Sequence, residues 1–543
     1  MVTLQFFSLV LDLMVNNPSK MTKKQFNNRS TWEGITMIKV FLALCMIFSC
    51  LNFPGVVFSQ TEKDTLTVCL GKTQPKSLNP AASNTRQVLT LYHNWGDTLL
   101  YRDPVSGKIV PGLARSYRIL ENGDMELTLR KGVTFHNGEP FNGSAVKFSL
   151  NLLKESGSRV SQYLVDIKDV AVLDEYKIRI EVFKPIPTLS QLIANVLFIY
   201  PPGYYRKVGK KGFGRHPVGT GPYRLVSNTD FSKMDFERNP QYFGEAKGMA
   251  KIPKLKIRVI KETILQMEAL ISGEVDLIRS GSVNPEQVQF LKQTDQVKIL
   301  STDILRVYFL VMDAQGRSGA TPFKDKRVRQ AVNHAIDRED IIQNAFSGFA
   351  VSLNSVTSPL HFGHENHVTR YPYDPARARQ LLSEAGYPTG FEVDYYAVNN
   401  ESAAESILDD LKAVGIRVKP KWMMGKWDQL YQKFLNGKIP LAFLTWGSYS
   451  IFDASALLNH FFMADSNACY GTTPEINRLL EQANGARELE ERAKLLSKAQ
   501  KCIADQAFWV PICSVEVISA MRKDLQFQPA VDEIDRYFMA YRP

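Results

Sequence analysis

Three histidines, His361, His364 and His367, recur at every third position in HFGHENH, with Glu365 among them. Imidazole nitrogens at that spacing suit a divalent transition metal, and on a helix steps of three keep them loosely on one side. Pro359 and Gly363 argue against a helix, so the segment also reads as a polar loop on the way to a helix after Asp374. Gly71-Lys72-Thr73 ends like a phosphate-binding loop, but Leu66 stands where that motif needs another glycine. GFGRHP and GTGPY have paired glycines without the third glycine or the strand-to-helix context of a dinucleotide site. There is no H-E-x-x-H, no G-x-S-x-G and no C-x-x-C. Nothing in the chain argues for an enzyme, a cofactor or a zinc ribbon. One other stretch invites a binding role. In LTWGSYSIFDAS an apolar strand, 441–445, runs into Trp446 and opens into Gly447, Ser448, Tyr449 and Ser450 before reaching Asp453.

Such residues need a frame. TLTVCLG alternates Leu66, Val68 and Leu70 with polar or small residues, the period of a strand. MELTLRKGVTF and YKIRIEVF alternate likewise, and DPVSGK, ENGD and HNGEPFNG punctuate them as turns, so 101–215 reads as a strand-rich unit. From residue 216 strands alternate with helices. KETILQMEALISG is a helix stopped by Gly273. KRVRQAVNHAIDREDIIQNAF carries Val328, Ala331, Val332, Ala335 and Ile336 at helical spacing. In YDPARARQLLSEAGYP, Asp374 caps a helix, Pro375 fits its first turn and Gly386 ends it. ESILDDLKAVGIRVKPKW repeats the unit, with Gly415 as the stop before a strand ending in Trp422. The alternation predicts α/β layers.

A chain of 543 residues that is 44% hydrophobic supports two to four domains. Its net charge of +11 is spread among acids along the whole length, a solvated basic surface and not the dense stripe of a nucleic-acid-binding protein. Near the N-terminus, Lys39 precedes an apolar run from Val40 to Phe48, followed by Pro54 and Gly55, with Val57 and Ser59 small enough for a signal peptidase. The run is too short for a comfortable membrane span. Residues 1–59 therefore read as a leader with a secretory signal cleaved near Ser59, and Cys50 after Ser49 offers the alternative of a lipid anchor. Cys69, Cys469, Cys502 and Cys513 remain in the mature chain, where an oxidising compartment favours one or two disulfides among three complete pairings.

Six blocks in order resemble the family 5 extracellular solute-binding proteins, which serve peptide, nickel, opine and glutathione importers of the ABC type. They are PGLARSYRILENGDMELTLRKGVTFHNGEPFNGSAVKFSL (111–150), GTGPYRLV (219–226) with RNPQYFG (238–244), SGEVDL (272–277), DKRVRQAVNHAIDREDII (325–342), YDPARARQLLSEAGYP (373–388) and ELEERAKLLSKAQKCIADQAFWVPI (488–512). The resemblance covers nearly everything after residue 60. It implies an α/β, two-lobed periplasmic-binding-protein fold with an extra strand-rich domain and a hinged cleft. Lobe I would combine 60–100, 216–305 and 515–543; the extra domain would be 101–215 and lobe II 306–514. Gly132 and Gly138 would serve turns, and Arg327 and Arg329 would be salt-bridged surface groups.

The resemblance also implies a site and partners. Peptide-binding members place an Asp shortly after the Trp that matches Trp446, where it meets the ligand's ammonium group. Here Gly447-Ser448-Tyr449-Ser450 carry no carboxylate, so the anchor is displaced to Asp453 or missing, a pattern closer to the glutathione-type branch. Trp446 and Tyr449 would supply apolar area, Ser448 and Ser450 hydrogen bonds, Trp422 a second wall, and Thr73 and Gln74 the facing lobe. The expected protein is a monomeric, extracytoplasmic carrier of a peptide-like solute that serves a membrane permease and binds no nucleic acid. The alternative is a nickel or metal-chelate receptor using His361, His364 and His367.

Overall fold

The strand Thr65–Cys69 has a parallel neighbour along each edge, Lys254–Arg258 and Leu277–Ile278, and is buried on both faces because Leu66 and Val68 enter one core and Cys69 another. It is the centre of one half of a sheet that spans the molecule. The computed structural model describes residues 64–543 apart from Asn84, Val105, Glu245, Ala246, Asn399 and Tyr449. The leader, its signal and Cys50 lie outside the described residues. Within them, strand order across the main sheet is Ile416–Trp422, Phe391–Ala397, Leu441–Trp446, Val297–Met312, Trp509–Arg522, Leu277–Ile278, Thr65–Cys69, Lys254–Arg258, Lys233–Arg238 and Tyr223–Thr229. Two long antiparallel strands, Val297–Met312 and Trp509–Arg522, join the halves. Their ladder shifts register between Asp303 and Val307, the local break at which a paired ribbon bends.

Two lobes follow from this topology. In lobe II, helices cover both faces of the sheet, one core holding Val328, Leu382 and Ile407 and the other Leu457, Leu480 and Ile503. In lobe I, one core runs from Leu66 through Trp95, Leu127, Phe141, Ile180 and Ile257 to Phe538. That core is continuous with the four-stranded antiparallel sheet Ala114–Ile119, Met125–Leu129, Lys177–Val182 and Ile167–Asp174. The strand-rich unit therefore shares its interior with lobe I.

Local signals work as their chemistry dictates. Asp374 accepts the Arg377 amide at 2.8 Å to cap Pro375–Glu384, and Gly386 then takes φ +90°. Gly132 and Gly138 sit in turns at φ +75° and +86°. The paired glycines of GTGPY have a packing reason: a Cβ at Gly219 or Gly221 would come within 2.4 Å of the Trp95 backbone. One helical stretch is interrupted. Lys326–Ala335 ends at Ile336, and Asp337 starts Arg338–Ala345 by accepting the Asp340 amide at 3.1 Å.

Two expectations are corrected. Cys69, Cys469, Cys502 and Cys513 are all free thiols; Cys69, Cys502 and Cys513 pack in three different cores. Arg327 is an exposed partner of Asp325, as a surface group should be. Arg329, in contrast, is buried and donates to the carbonyl oxygens of Phe323, Lys324 and Gln506. Among the described residues no helix is long and apolar enough to cross a membrane.

Candidate functional site

The strand Leu441–Trp446 pairs with the joining strand, Val307 opposite Trp446, and delivers the Trp446 ring to the strand's carboxyl end. In open α/β sheets that end is where ligands meet the protein. The ring is half-buried on an aromatic floor. It stacks on His460 at 4.6 Å between centroids with planes 13° apart, and Phe461 meets it edge-on at 5.1 Å. The Tyr431 hydroxyl bonds His460 Nε2 at 2.7 Å, and burial pushes the His460 imidazole down to about 4. The floor is therefore uncharged at neutral pH.

The loop after Trp446 lies where the lobes meet. A Cβ on Gly447 would come within 3.3 Å of Arg86, Arg306 and Glu533 side-chain atoms. Arg306 bonds Glu533 at 3.0 Å and Arg86 lies 3.4 Å from it. Burial raises the Glu533 carboxyl, but Arg306 and Arg86 outweigh that and hold it below its ordinary value. Ser448 is buried and bonds His361 Nε2 at 3.0 Å. Ser450 is buried, takes φ +67° and donates to Asp532. Tyr449 lies outside the described residues.

Asp453 goes elsewhere. Its carboxylate is paired to Arg492 at 2.9 and 3.1 Å and accepts the Ser455 amide at 2.9 Å. A carboxylate so engaged is not open to a ligand's ammonium group, so the displaced-anchor role expected of Asp453 is corrected. Trp422 is 38% exposed at the outer end of the sheet, two strands from Trp446, with Tyr395 edge-on to it at 6.4 Å. Gln74 donates to the Asp230 carbonyl in the Tyr223–Arg238 hairpin, and Thr73 is exposed. The structure thus joins Trp446, Ser448, Ser450 and Asp453 in one loop and leaves Trp422, Thr73 and Gln74 apart from it.

The three histidines are also separated by their partners. His361 is buried, with Nδ1 at 3.2 Å from the Ser358 carbonyl and Nε2 on Ser448, so both nitrogens are occupied. Burial pushes its imidazole down to about 4. His364 is held between Thr357 and Asn366, and His367 is exposed. Glu365 bonds Ser497 and, at 3.2 Å, Lys501. Among the described residues no group of three or more His, Cys, Asp or Glu side chains is placed to hold a metal ion. HFGHENH instead braces the Trp446 loop. The Phe362 amide bonds the Phe452 carbonyl at 2.9 Å, and the Phe362 carbonyl accepts from Ala454 at 3.0 Å.

Beside the loop, a cavity of about 500 Å³ is bounded by both lobes and the joining strands. Asn284 contributes from lobe I; Arg306, Tyr308 and Glu516 from the joining strands; Asn400 and Ser402 from lobe II. Arg306 and Glu533 form its boundary towards Gly447. The sequence reading passes over Arg86, Arg306, Glu516 and Glu533. One signal existed, VDEIDRYF at 531–538, where three carboxylates and Arg536 interrupt an apolar segment.

Two lobes joined by two long strands, with a cavity lined by polar groups between them, define a solute-binding protein. Residues 108–468 match the model of the bacterial extracellular solute-binding proteins, family 5 Middle, and the chain belongs to that family. It is 28% identical over 444 residues to heme-binding protein A of Haemophilus influenzae, covering 75% of this chain and 79% of that protein. It is 26% identical over 435 residues to the glutathione-binding protein GsiB of Salmonella choleraesuis, covering 77% and 83%. Its fold matches the periplasmic binding protein DppA of Helicobacter pylori in complex with the peptide STSA, with TM-score 0.76 and 24% identity over 88% of this chain and 98% of that one.

Proposed function

We propose that this protein captures a peptide-like solute, a di- or oligopeptide or a glutathione-like molecule, outside the cytoplasm. Closure of the hinge over the solute then presents the complex to an ABC-type permease in the membrane. The observation that carries this reading is the cavity between the lobes, whose size suits a small solute and whose walls match the groups of a peptide. Asn284, Asn400 and Ser402 suit its amides, and Tyr308 and Phe346 supply apolar surface. Glu516 lines the same cavity and carries no ion pair among the described residues, so it replaces Asp453 as the proposed partner of a ligand ammonium group.

Isothermal titration of the mature chain tests this. Glutathione, an unmodified tripeptide, Ni²⁺ and heme are titrated separately. Heat with glutathione or the tripeptide supports the reading. Heat with Ni²⁺ or heme alone overturns it in favour of a metal or macrocycle carrier.

A further inference from the structure

The even mixing of charge along the chain fails in one interval. Residues 182–229 hold seven Lys and Arg side chains and no Asp or Glu. Two of the seven are paired from outside the interval, Lys184 with Asp166 at 3.4 Å and Arg224 with Glu237 at 2.7 Å. The other five, Arg206, Lys207, Lys210, Lys211 and Arg215, all belong to the helical stretch Pro202–Arg215 of the strand-rich unit. Each is exposed, and among the described residues none has a carboxylate partner. Lys76 joins them: the Leu78 amide bonds the Gly214 carbonyl at 2.9 Å, which sets the loop bearing exposed Lys76 against the end of the stretch. The acids beside them are Glu139 and Asp230. Glu139 accepts the Gly203 and Tyr204 amides at 2.8 and 2.7 Å. Asp230 lies in the hairpin turn just after Asn228, which donates to the Arg215 carbonyl at 2.8 Å. Six cations against two acids leave this surface positive. Elsewhere exposed lysines stand next to acids, as Lys419 does with Glu392 and Lys421 with Asp394.

We propose that this basic surface docks the protein on an anionic lipid bilayer. Three observations favour lipid head groups. First, the cations are unpaired and contiguous, so their fields add instead of being cancelled locally. Second, three of the five in the stretch are lysines, compact charges on flexible stems. They suit a diffuse negative surface better than the two-point geometry by which arginine reads a single carboxylate or phosphate. Third, the stretch keeps its apolar side chains in. Tyr205 and Phe213 are buried, and no large apolar side chain of 202–215 is among the exposed ones, so the surface rests on head groups without inserting between the acyl chains. The attraction reaches about one Debye length and weakens with salt. Its use rests on the proposed delivery role: a carrier held near the bilayer searches a surface for its permease instead of a volume.

Vesicle co-sedimentation of the mature chain, with no solute added, tests the proposal. One set of vesicles is phosphatidylglycerol with phosphatidylethanolamine, the other phosphatidylcholine alone. The expected result is binding to the first set and not the second, with release by added salt. Lys207→Glu, Lys210→Glu and Lys211→Glu combined should weaken binding by about a hundredfold. Arginine at the same three positions should preserve it. The same reversal at Lys412, Lys433 and Lys438, exposed lysines of lobe II, should leave it unchanged. Undiminished binding by the first triple variant, or an equal loss in the lobe II control, overturns the proposal. Capture by immobilised poly-glutamate with none by the anionic vesicles overturns it in favour of an acidic polypeptide partner. Tripeptide titration of the same variants, read without vesicles, should match the unmodified chain, so docking and solute capture can each fail alone.

Discussion

Asp453 and Arg492 form a two-point ion pair at 2.9 and 3.1 Å, with side chains only 7% and 3% exposed. Removing one partner strands the other charge in the interior, which costs about 3–5 kcal/mol. Asp453→Ala and Arg492→Ala are each expected to lower the unfolding free energy read from urea titration by that amount. The apolar pair Asp453→Leu with Arg492→Met should recover much of it. A single variant as stable as the unmodified chain would show that the pair contributes nothing.

Glu516 is expected to affect binding more than stability. Glu516→Gln should weaken an amine-bearing tripeptide by about 1.5–3 kcal/mol, the scale of a charged hydrogen bond, and leave an N-acetylated one unaffected. Calorimetry on the two peptides checks this. Equal losses for both peptides in Glu516→Gln would place the amine elsewhere.

Acid should destabilise the fold in two stages. Burial pushes His136, His361 and His460 each down to about 4. Unfolded, they titrate near 6.5, so between ~6.5 and ~4 the unfolded chain binds protons that the folded chain refuses. Stability is full above 6.5 and falls as pH drops through that window, by about 1.4 kcal/mol per histidine per pH unit at most. A second loss follows from about 4.5 downwards. The Ser497 hydroxyl, the His367 amide and Lys501 hold Glu365 down to about 2. Urea midpoints at pH 7.5, 5.5 and 3.5 measure both stages; a flat profile from 7.5 to 5.5 would contradict the first.

Gly221→Ala tests the reading of GTGPY as a packing feature. The new methyl would meet the Trp95 carbonyl carbon at 2.4 Å, backbone that has no flexible end to move aside. A loss of about 3 kcal/mol is expected in thermal or urea unfolding. Gly132→Ala has open space around it and only its φ of +75° to strain, so it should cost less, about 1 kcal/mol.

Much of the frame is legible in the sequence because its causes are local. Asp374, Pro375 and Gly386 act on their own helix, and Leu66 and Val68 announce a strand whatever lies beside it. Trp446 is legible for a related reason, since a strand that ends in an aromatic residue and small polar residues marks an edge. What partners those residues have is not legible. Asp453 reads as a free acid until Arg492, 39 positions away, is placed against it. Arg102 meets Ser450 across 348 positions, with no period or spacing to join them. The histidines of HFGHENH read as ligands because their spacing is visible and their engagement by Ser358, Ser448 and Thr357 is not.

One short run of chain touches every moving part described above. The Val531 carbonyl accepts the Leu305 amide at 3.3 Å inside the register break, Asp532 takes the Ser450 hydroxyl, and Glu533 binds Arg306 at 3.0 Å beside Gly447. Three consecutive residues thus touch the register break, the Ser450 loop and Arg306 at once. A change that shifts this run by a fraction of an ångström would retune opening and grip together. Evolution or design that alters one property here will find the other altered with it.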